Sequence, residues 1–310
     1  MNEIVVVGSI NVDIALRAAK IPSPGETVRA SEVLLGPGGK GLNQAIAAAR
    51  LGAGVVMVGR VGEDRLADVP RTALSEAGVD TTHVEPCRER ATGTAVIVIE
   101  EAGGQNAITV AGGANGLLSP AQITAAAPAF RIAKVLLVQL EAPPETVLAA
   151  LHLAREHGLT RILDPAPYRP LSDELLAEVD VLTPNENEAS QLTEMEVCDV
   201  ASAICAGELL RSRVGGDIVI TLAQMGCVWI SASDIVHLEA PRVASIDTTG
   251  AGDAFNGALA FGLSLGEPMK LALERAVAAG SVSTLRAGAA TSMPTLDDLA
   301  PYFARDAVRS

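Results

Sequence analysis

The sequence predicts an α/β protein: a central, mainly parallel sheet flanked by helices on both faces, with a small antiparallel β lid. Short β-branched runs alternate with longer Ala- and Leu-rich segments, the rhythm of successive βαβ units. Two stretches, 14–36 and 92–110, break that rhythm with strand-like alternation of their own. A hydrophobic content of 49% with 29 glycines and few aromatics describes a compact core of Val, Ile, Leu and Ala.

In chain order, the predicted strand Ile4–Val7 leads to a helix over 42–51, a strand over 55–58 and a helix over 65–77. The rhythm resumes with strands at 135–138, 161–163, 181–182 and 218–222 and a helix over 144–156, and helices over 251–265 and 269–285 follow. Thr94-Ala95-Val96-Ile97-Val98-Ile99 reads as a lid strand, with Glu101-Ala102-Gly103-Gly104 as its hairpin turn. Residues 1–13, 37–91 and 111–310 then form the core, and 14–36 with 92–110 form a discontinuous lid beside the strand ends.

A net charge of −14 without a basic stripe argues against nucleic-acid or anionic-membrane partners and for a small molecule. Cys87, Cys198, Cys205 and Cys227 are scattered and form no zinc or disulfide pattern. Met1-Asn2-Glu3 runs straight into an apolar strand without a signal-peptide pattern, so a cytoplasmic location is expected.

On so negative a chain, phosphate must be met by backbone amides, cations and a few side chains. Asp247-Thr248-Thr249-Gly250-Ala251-Gly252-Asp253 opens a helix, where exposed amides make an anion site. Asp253, in the first turn, is placed to take a proton from an attacking hydroxyl. The competing reading is a Gly-rich helix start with an acid that suits the dipole. Gly36-Pro37-Gly38-Gly39-Lys40-Gly41-Leu42-Asn43-Gln44 opens another helix. It has no Ser or Thr after Lys40, which excludes a P-loop. Its amides with Lys40 and Asn43 suit a polyhydroxyl ligand, or form a simple loop-to-helix turn.

Asn11 and Asp13 follow the first strand, Glu141 and Asp164 follow later ones, and Asn185 and Glu188 another. Polar groups at successive strand ends imply one crevice floor. Asn185 and Glu188 suit waters around Mg2+.

These motifs, in this order from Ile4 to about Pro294, resemble the ribokinase family of carbohydrate kinases. The resemblance implies a sugar held by Asn11, Asp13, Gly39, Lys40, Gly41, Asn43, Glu141 and Asp253. Asp253 would be the general base and the Gly250, Ala251 and Gly252 amides the anion hole. ATP would meet Asn185, Thr221, Ala223, Gly226, Gly252 and Val277, with Mg2+ near Glu188. A monovalent cation, K+, would sit among Asp247, Thr249, Ser283, Arg286, Gly288 and Ser292.

The implied reaction is transfer of the ATP γ-phosphoryl group to O5 of ribose, in a homodimer paired through the lid. Alternatives are a kinase of the same family acting on deoxyribose, a fructose-type sugar or a nucleoside, and a sugar-binding regulator without turnover. The chain departs from the pattern where relatives carry glycine, at Ala67 and Ala223, and at Val277, a position often polar.

Overall fold

The computed structural model describes residues 3–101 and 105–303. Strand β1 (Ile4–Val7) leads into β2 (Asn11–Ala18) and β3 (Ala30–Gly38), then helix α1 (Lys40–Arg50), β4 (Val55–Gly62), α2 (Asp68–Glu76) and β5 (Asp80–Cys87). The second lid hairpin is β6 (Gly93–Glu100) and β7 (Asn106–Ala111). Helices α3 (Pro120–Ala125) and α4 (Ala127–Phe130) precede β8 (Val135–Gln139), α5 (Pro144–Glu156), β9 (Thr160–Asp164), α6 (Asp173–Ala177) and β10 (Val181–Leu182). There follow α7 (Glu186–Thr193), α8 (Val200–Arg211), β11 (Asp217–Thr221), β12 (Cys227–Ile230) and β13 (Ile235–Leu238). Three helices complete the described chain: α9 (Ala251–Ser264), α10 (Met269–Ser283) and α11 (Leu296–Phe303).

The main sheet has the order β13-β12-β11-β10-β9-β8-β1-β4-β5, parallel except where β12 and β13 pair antiparallel at one edge. Successive residues of β1 explain the two layers. Ile4 and Val6 face a core shared with α1, α9 and α10, whereas Val5 and Val7 face one shared with α3, α4, α5 and α8. A central strand buried on both faces reads as a continuous apolar run.

The smaller sheet has the order β3-β2-β6-β7. Each hairpin is antiparallel, and the two are joined by a parallel pairing of β2 with β6. The hairpin turn expected at 101–104 lies mostly outside the described residues. The lid strands begin earlier than the sequence suggested: β2 starts at Asn11 and β3 runs to Gly38, so the lid is rooted among the candidate ligand-binding residues.

The helix expected at 65–77 opens as a 3-10 turn, because Asp64 accepts hydrogen bonds from the amides of Leu66 and Ala67. Pro70 then falls in the first turn of α2, where its missing N–H costs nothing. Ala67, with φ −58, has ordinary helical backbone and needs no glycine. Among the described residues no helix is long and apolar enough to cross a membrane.

Candidate active site

The first turn of α9 faces the start of α1 across the carboxyl ends of the strands. Gly250 caps α9 at φ 79, a left-handed conformation suited to glycine, and supplies no side-chain cap. Among the described residues, the amides of Gly252 and Asp253 are paired with no acceptor. A Cβ at Gly252 would meet nothing within 4 Å, so open space lies over this turn.

Asp253 is buried, at 5% exposure, and held by two side-chain amides from α1. Asn43 Nδ2 donates to one carboxylate oxygen at 2.8 Å and Gln44 Nε2 to the other at 3.0 Å. Gln44 Nε2 also donates to Asp164 at the end of β9, at 2.7 Å. Its Oε1 accepts from Gln139 Nε2 at the end of β8, at 2.5 Å. Asn43 Oδ1 is left buried, an acceptor facing no donor among the described residues.

The electrostatics are those of crowded acids around an ammonium group. Burial pushes the Asp253 carboxyl above its ordinary range, opposed by Lys40 and by the bonds from Asn43 and Gln44. Burial likewise raises Asp164 and Glu188. For Lys40, burial pulls downward, but Asp253, Asp164, Glu141 and Glu188 outweigh it and keep the ammonium charged. Asp13 is raised to about 6 by burial, then by Glu141 and Asp253.

A carboxyl raised from 3.8 to about 6 on folding contributes stability below pH 3.8 that is lost as pH rises through 6. Asp13→Asn should therefore raise the urea midpoint at pH 7 and leave it nearly unchanged at pH 4. Equal gains at both values would refute that assignment.

The first lid strand delivers Asn11 and Asp13. Asn11 Oδ1 accepts from Asn115 Nδ2 at 2.7 Å. The Glu141 carboxylate accepts from the Ser9 hydroxyl and, at 3.4 Å, from the amide of Lys40. Gly39 and Gly41 lie hard against the 8–11 backbone: a Cβ on Gly39 would stand 2.9 Å from the Asn11 nitrogen, and one on Gly41 2.7 Å from the Gly8 carbonyl carbon.

Asn185 caps α7 in a reciprocal capping box with Glu188 and pairs with Thr221 at the end of β11. Beyond it, a 3-10 turn over 223–225 runs to Gly226 at φ 93. Ala223 adopts φ 46, a left-handed conformation that costs a residue with a Cβ about 1–2 kcal/mol. Ala223→Gly should relieve part of that strain, raising the urea midpoint by the equivalent of about 0.5–1 kcal/mol with an unchanged m-value.

In a neighbouring group, Asp247 accepts from the amide and hydroxyl of Thr249, at 2.9 and 2.7 Å, and from the Gly288 amide at 2.9 Å. Burial opposes ionisation there, yet these bonds hold Asp247 below the usual carboxylate range. Ser283 and Ser292 are buried nearby in sequence, whereas the Arg286 side chain turns to Asp298. Val277 lies in the core packed around α9 and α10, at 6% exposure.

Sequence reasoning assigned no role to Asn115, Gln44 or Gln139. Gln44 stood inside the quoted Gly-rich motif and Gln139 directly after the strand expected at 135–138; Asn115 lay in a Gly-rich turn whose partner is 104 residues away in sequence.

A family model, pfkB family carbohydrate kinase, matches residues 1–296. The chain belongs to this family of carbohydrate kinases. This pfkB-family chain is 38% identical to Bacillus subtilis ribokinase over 299 residues, 96% of this chain and 98% of that one. It is 34% identical to Salmonella typhi deoxyribokinase over 302 residues, 97% of this chain and 98% of the relative. Among solved structures, Arabidopsis thaliana ribokinase complexed with ribose and ATP superposes with a TM-score of 0.90. The identity there is 30%, over 98% of this chain and 99% of that one. The family kinase fold therefore carries the site just described.

Proposed function

We propose that this kinase transfers the γ-phosphoryl group of ATP to the terminal hydroxyl of ribose, giving ribose 5-phosphate and ADP. The observation that carries the reading is the placement of Asp253: a buried carboxylate oriented by Asn43 and Gln44, in the first turn of a helix where, among the described residues, the amides of Gly252 and Asp253 have no acceptor.

Asn11, Asp13, Lys40, Asn43 and Glu141 hold the sugar hydroxyls, with the unpaired Asn43 Oδ1 ready to accept one. Asp253 takes the proton of the attacking hydroxyl as its oxygen bonds to the γ-phosphorus. The bond from that phosphorus to the leaving ADP oxygen breaks in line. The Gly250 and Gly252 amides bind the oxygens of the transferred group, whereas the Ala251 amide expected to join them donates to the Thr248 carbonyl at 3.2 Å. Asn185, Thr221, Ala223 and Gly226 hold the nucleotide, with Val277 backing the helix beside it.

The acidic crowd around Lys40 leaves anionic charge that suits a cation. Mg2+, held largely through water by Glu188, would screen the phosphates there. The oxygen donors Asp247, Thr249, Ser283 and Ser292, with carbonyls at Arg286 and Gly288, suit K+, which would add positive field at the start of α9.

The test is ADP release with ribose, deoxyribose, fructose and adenosine, with and without K+. A kcat/KM for ribose at least about tenfold above the others is expected, a margin of about 1.4 kcal/mol in transition-state stabilisation. The relative named deoxyribokinase favours deoxyribose as the second reading, and a preference for that sugar would replace the first.

The lid, the discontinuous unit of 14–36 and 92–110, pairs two copies in this reading. On one face of its sheet Val33 and Leu35, aligned with Leu16 and Ile14, are each more than half exposed, an apolar patch that a second copy would cover. Leu35→Asp is expected to shift the sedimenting species from dimer to monomer; an unchanged dimer would place the interface elsewhere. Four cysteines without a disulfide suit a reducing cytoplasm as the place of action.

A further inference from the structure

We propose that Asn115 is a positioning residue that fixes which face of the Asn11 carboxamide meets the sugar. The proposal rests on the reading of Asn11 as a sugar-binding residue.

Hydrogen-bond polarity, set at the backbone, fixes the orientation of both carboxamides. The Ile10 N–H can only donate, and it donates to Asn115 Oδ1 at 2.9 Å. The other end of that carboxamide must therefore be nitrogen, and it donates to the Ile10 carbonyl at 3.3 Å and to Asn11 Oδ1 at 2.7 Å. Asn11 thus spends its oxygen on Asn115. Among the described residues Asn11 Nδ2 is neither paired nor sealed from solvent, and it remains as the group offered to a ligand.

Asn11 and Asn115 are each 3% exposed, so water does not substitute freely for either partner. Gly93 makes the contact possible: a Cβ there would stand 2.1 Å from Asn11 Oδ1 and 2.4 Å from Asn115 Nδ2. Asn115 lies in the 3-10 turn directly after the second lid hairpin, whereas Ile10 and Asn11 begin the first. One side chain therefore ties the returning lid strand to the strand that carries the recognition residue.

The consequence is a specificity rule. The ligand group facing Asn11 must accept a hydrogen bond, while Asp13, two residues along the same strand, offers an acceptor to the hydroxyl hydrogens beside it.

The test is a double-mutant cycle read by ribose binding in calorimetry. Asn115→Asp keeps the acceptor for Ile10 N–H but turns the donor into a second acceptor, so Asn11 must rotate its nitrogen inward and its oxygen toward the sugar. The Kd for ribose is expected to rise about 30-fold, the cost of a mispaired buried polar group. In an Asn11→Ala background the same substitution should change Kd by less than about threefold, since its effect passes through Asn11.

An unchanged Kd in the wild-type background, or the full loss in both, would overturn the proposal. If Asn115→Asp does not fold, Asn115→Ala is taken through the same cycle and judged by the same criterion.

Ribose binding that is equal in the wild type and in Asn11→Ala would count against the sugar reading instead. Hydrogen exchange of the Asn11 side-chain amide by NMR then decides: exchange slowed in Asn115→Asp supports the inward rotation, and unchanged exchange excludes it.

Discussion

Asp253→Asn is expected to lower kcat by about three orders of magnitude while the protein folds and binds sugar. General-base assistance contributes roughly 10²–10⁴-fold when the base is well placed. Asp253 meets the geometric requirement, since two amides from α1 fix both of its oxygens. Its carboxyl is also raised above the ordinary range, chiefly by burial, which makes it a stronger proton acceptor than a solvated aspartate.

The substitution looks severe for stability, because an amide would face two donors. Asn43 removes the conflict. Among the described residues its Oδ1 has no partner, so turning that carboxamide over presents an acceptor to the new NH2 group and its own NH2 to the sugar, whose hydroxyl can accept as well as donate. Loss of one negative charge beside Glu141 and Asp164 offsets part of what remains. The measurements are single-turnover kinetics with ATP and ribose, calorimetric ribose binding and thermal unfolding. Turnover within tenfold of the parent would remove Asp253 from the role of base.

The second large effect separates two glycines that look alike in sequence. Gly250→Ala should destabilise the protein by about 1–2 kcal/mol, because a Cβ is penalised at φ 79. That Cβ would also sit 3.1 Å from Ala289 and from the end of Met293. Gly252→Ala should do the opposite to stability, since helix propensity favours Ala by about 1 kcal/mol and the new methyl meets nothing.

Its effect on rate should be the larger of the two. The open space over Gly252 is where phosphoryl oxygens would lie, and losing one such donor contact costs about 10²–10³ in kcat. A Gly252→Ala protein that is more stable in urea and at least a hundredfold slower would assign the glycine to ligand access. One that is equally active would show that the phosphates lie elsewhere.

Much of this arrangement is written locally. The runs at 4–7, 55–58 and 135–138 are apolar at every position because both faces of those strands are covered, and the helix at 144–156 follows directly from its Pro start and Leu/Ala spacing. The Gly-rich helix starts at 40 and 251 were legible for the same reason: their chemistry lies within a few residues.

Strands β5, β12 and β13 were not legible. β5 mixes half-buried polar residues with a proline, and β13 is an edge strand with alternate exposure. Neither has the uniform apolar signature of the centre. The parallel joining of β2 to β6 was equally hidden, since pairing across about 80 residues leaves no local trace. The Gln139–Gln44–Asp253 chain likewise depends on three elements meeting.

In the lid sheet, Asn11 has a glycine on either side: Gly38 in β3 and Gly93 in β6. Had Gly38 a methyl group, it would overlap the Asp13 carboxylate, and one on Gly93 would overlap the Asn11 carboxamide. Bare backbone in a strand weakens the sheet. The two gaps are nevertheless the volume in which the recognition side chains stand. Polar reach at this end of the molecule is thus set by neighbours that decline to fill space. Engineering a new sugar preference by enlarging residues 38 or 93 would evict Asp13 or Asn11 before it touched any ligand.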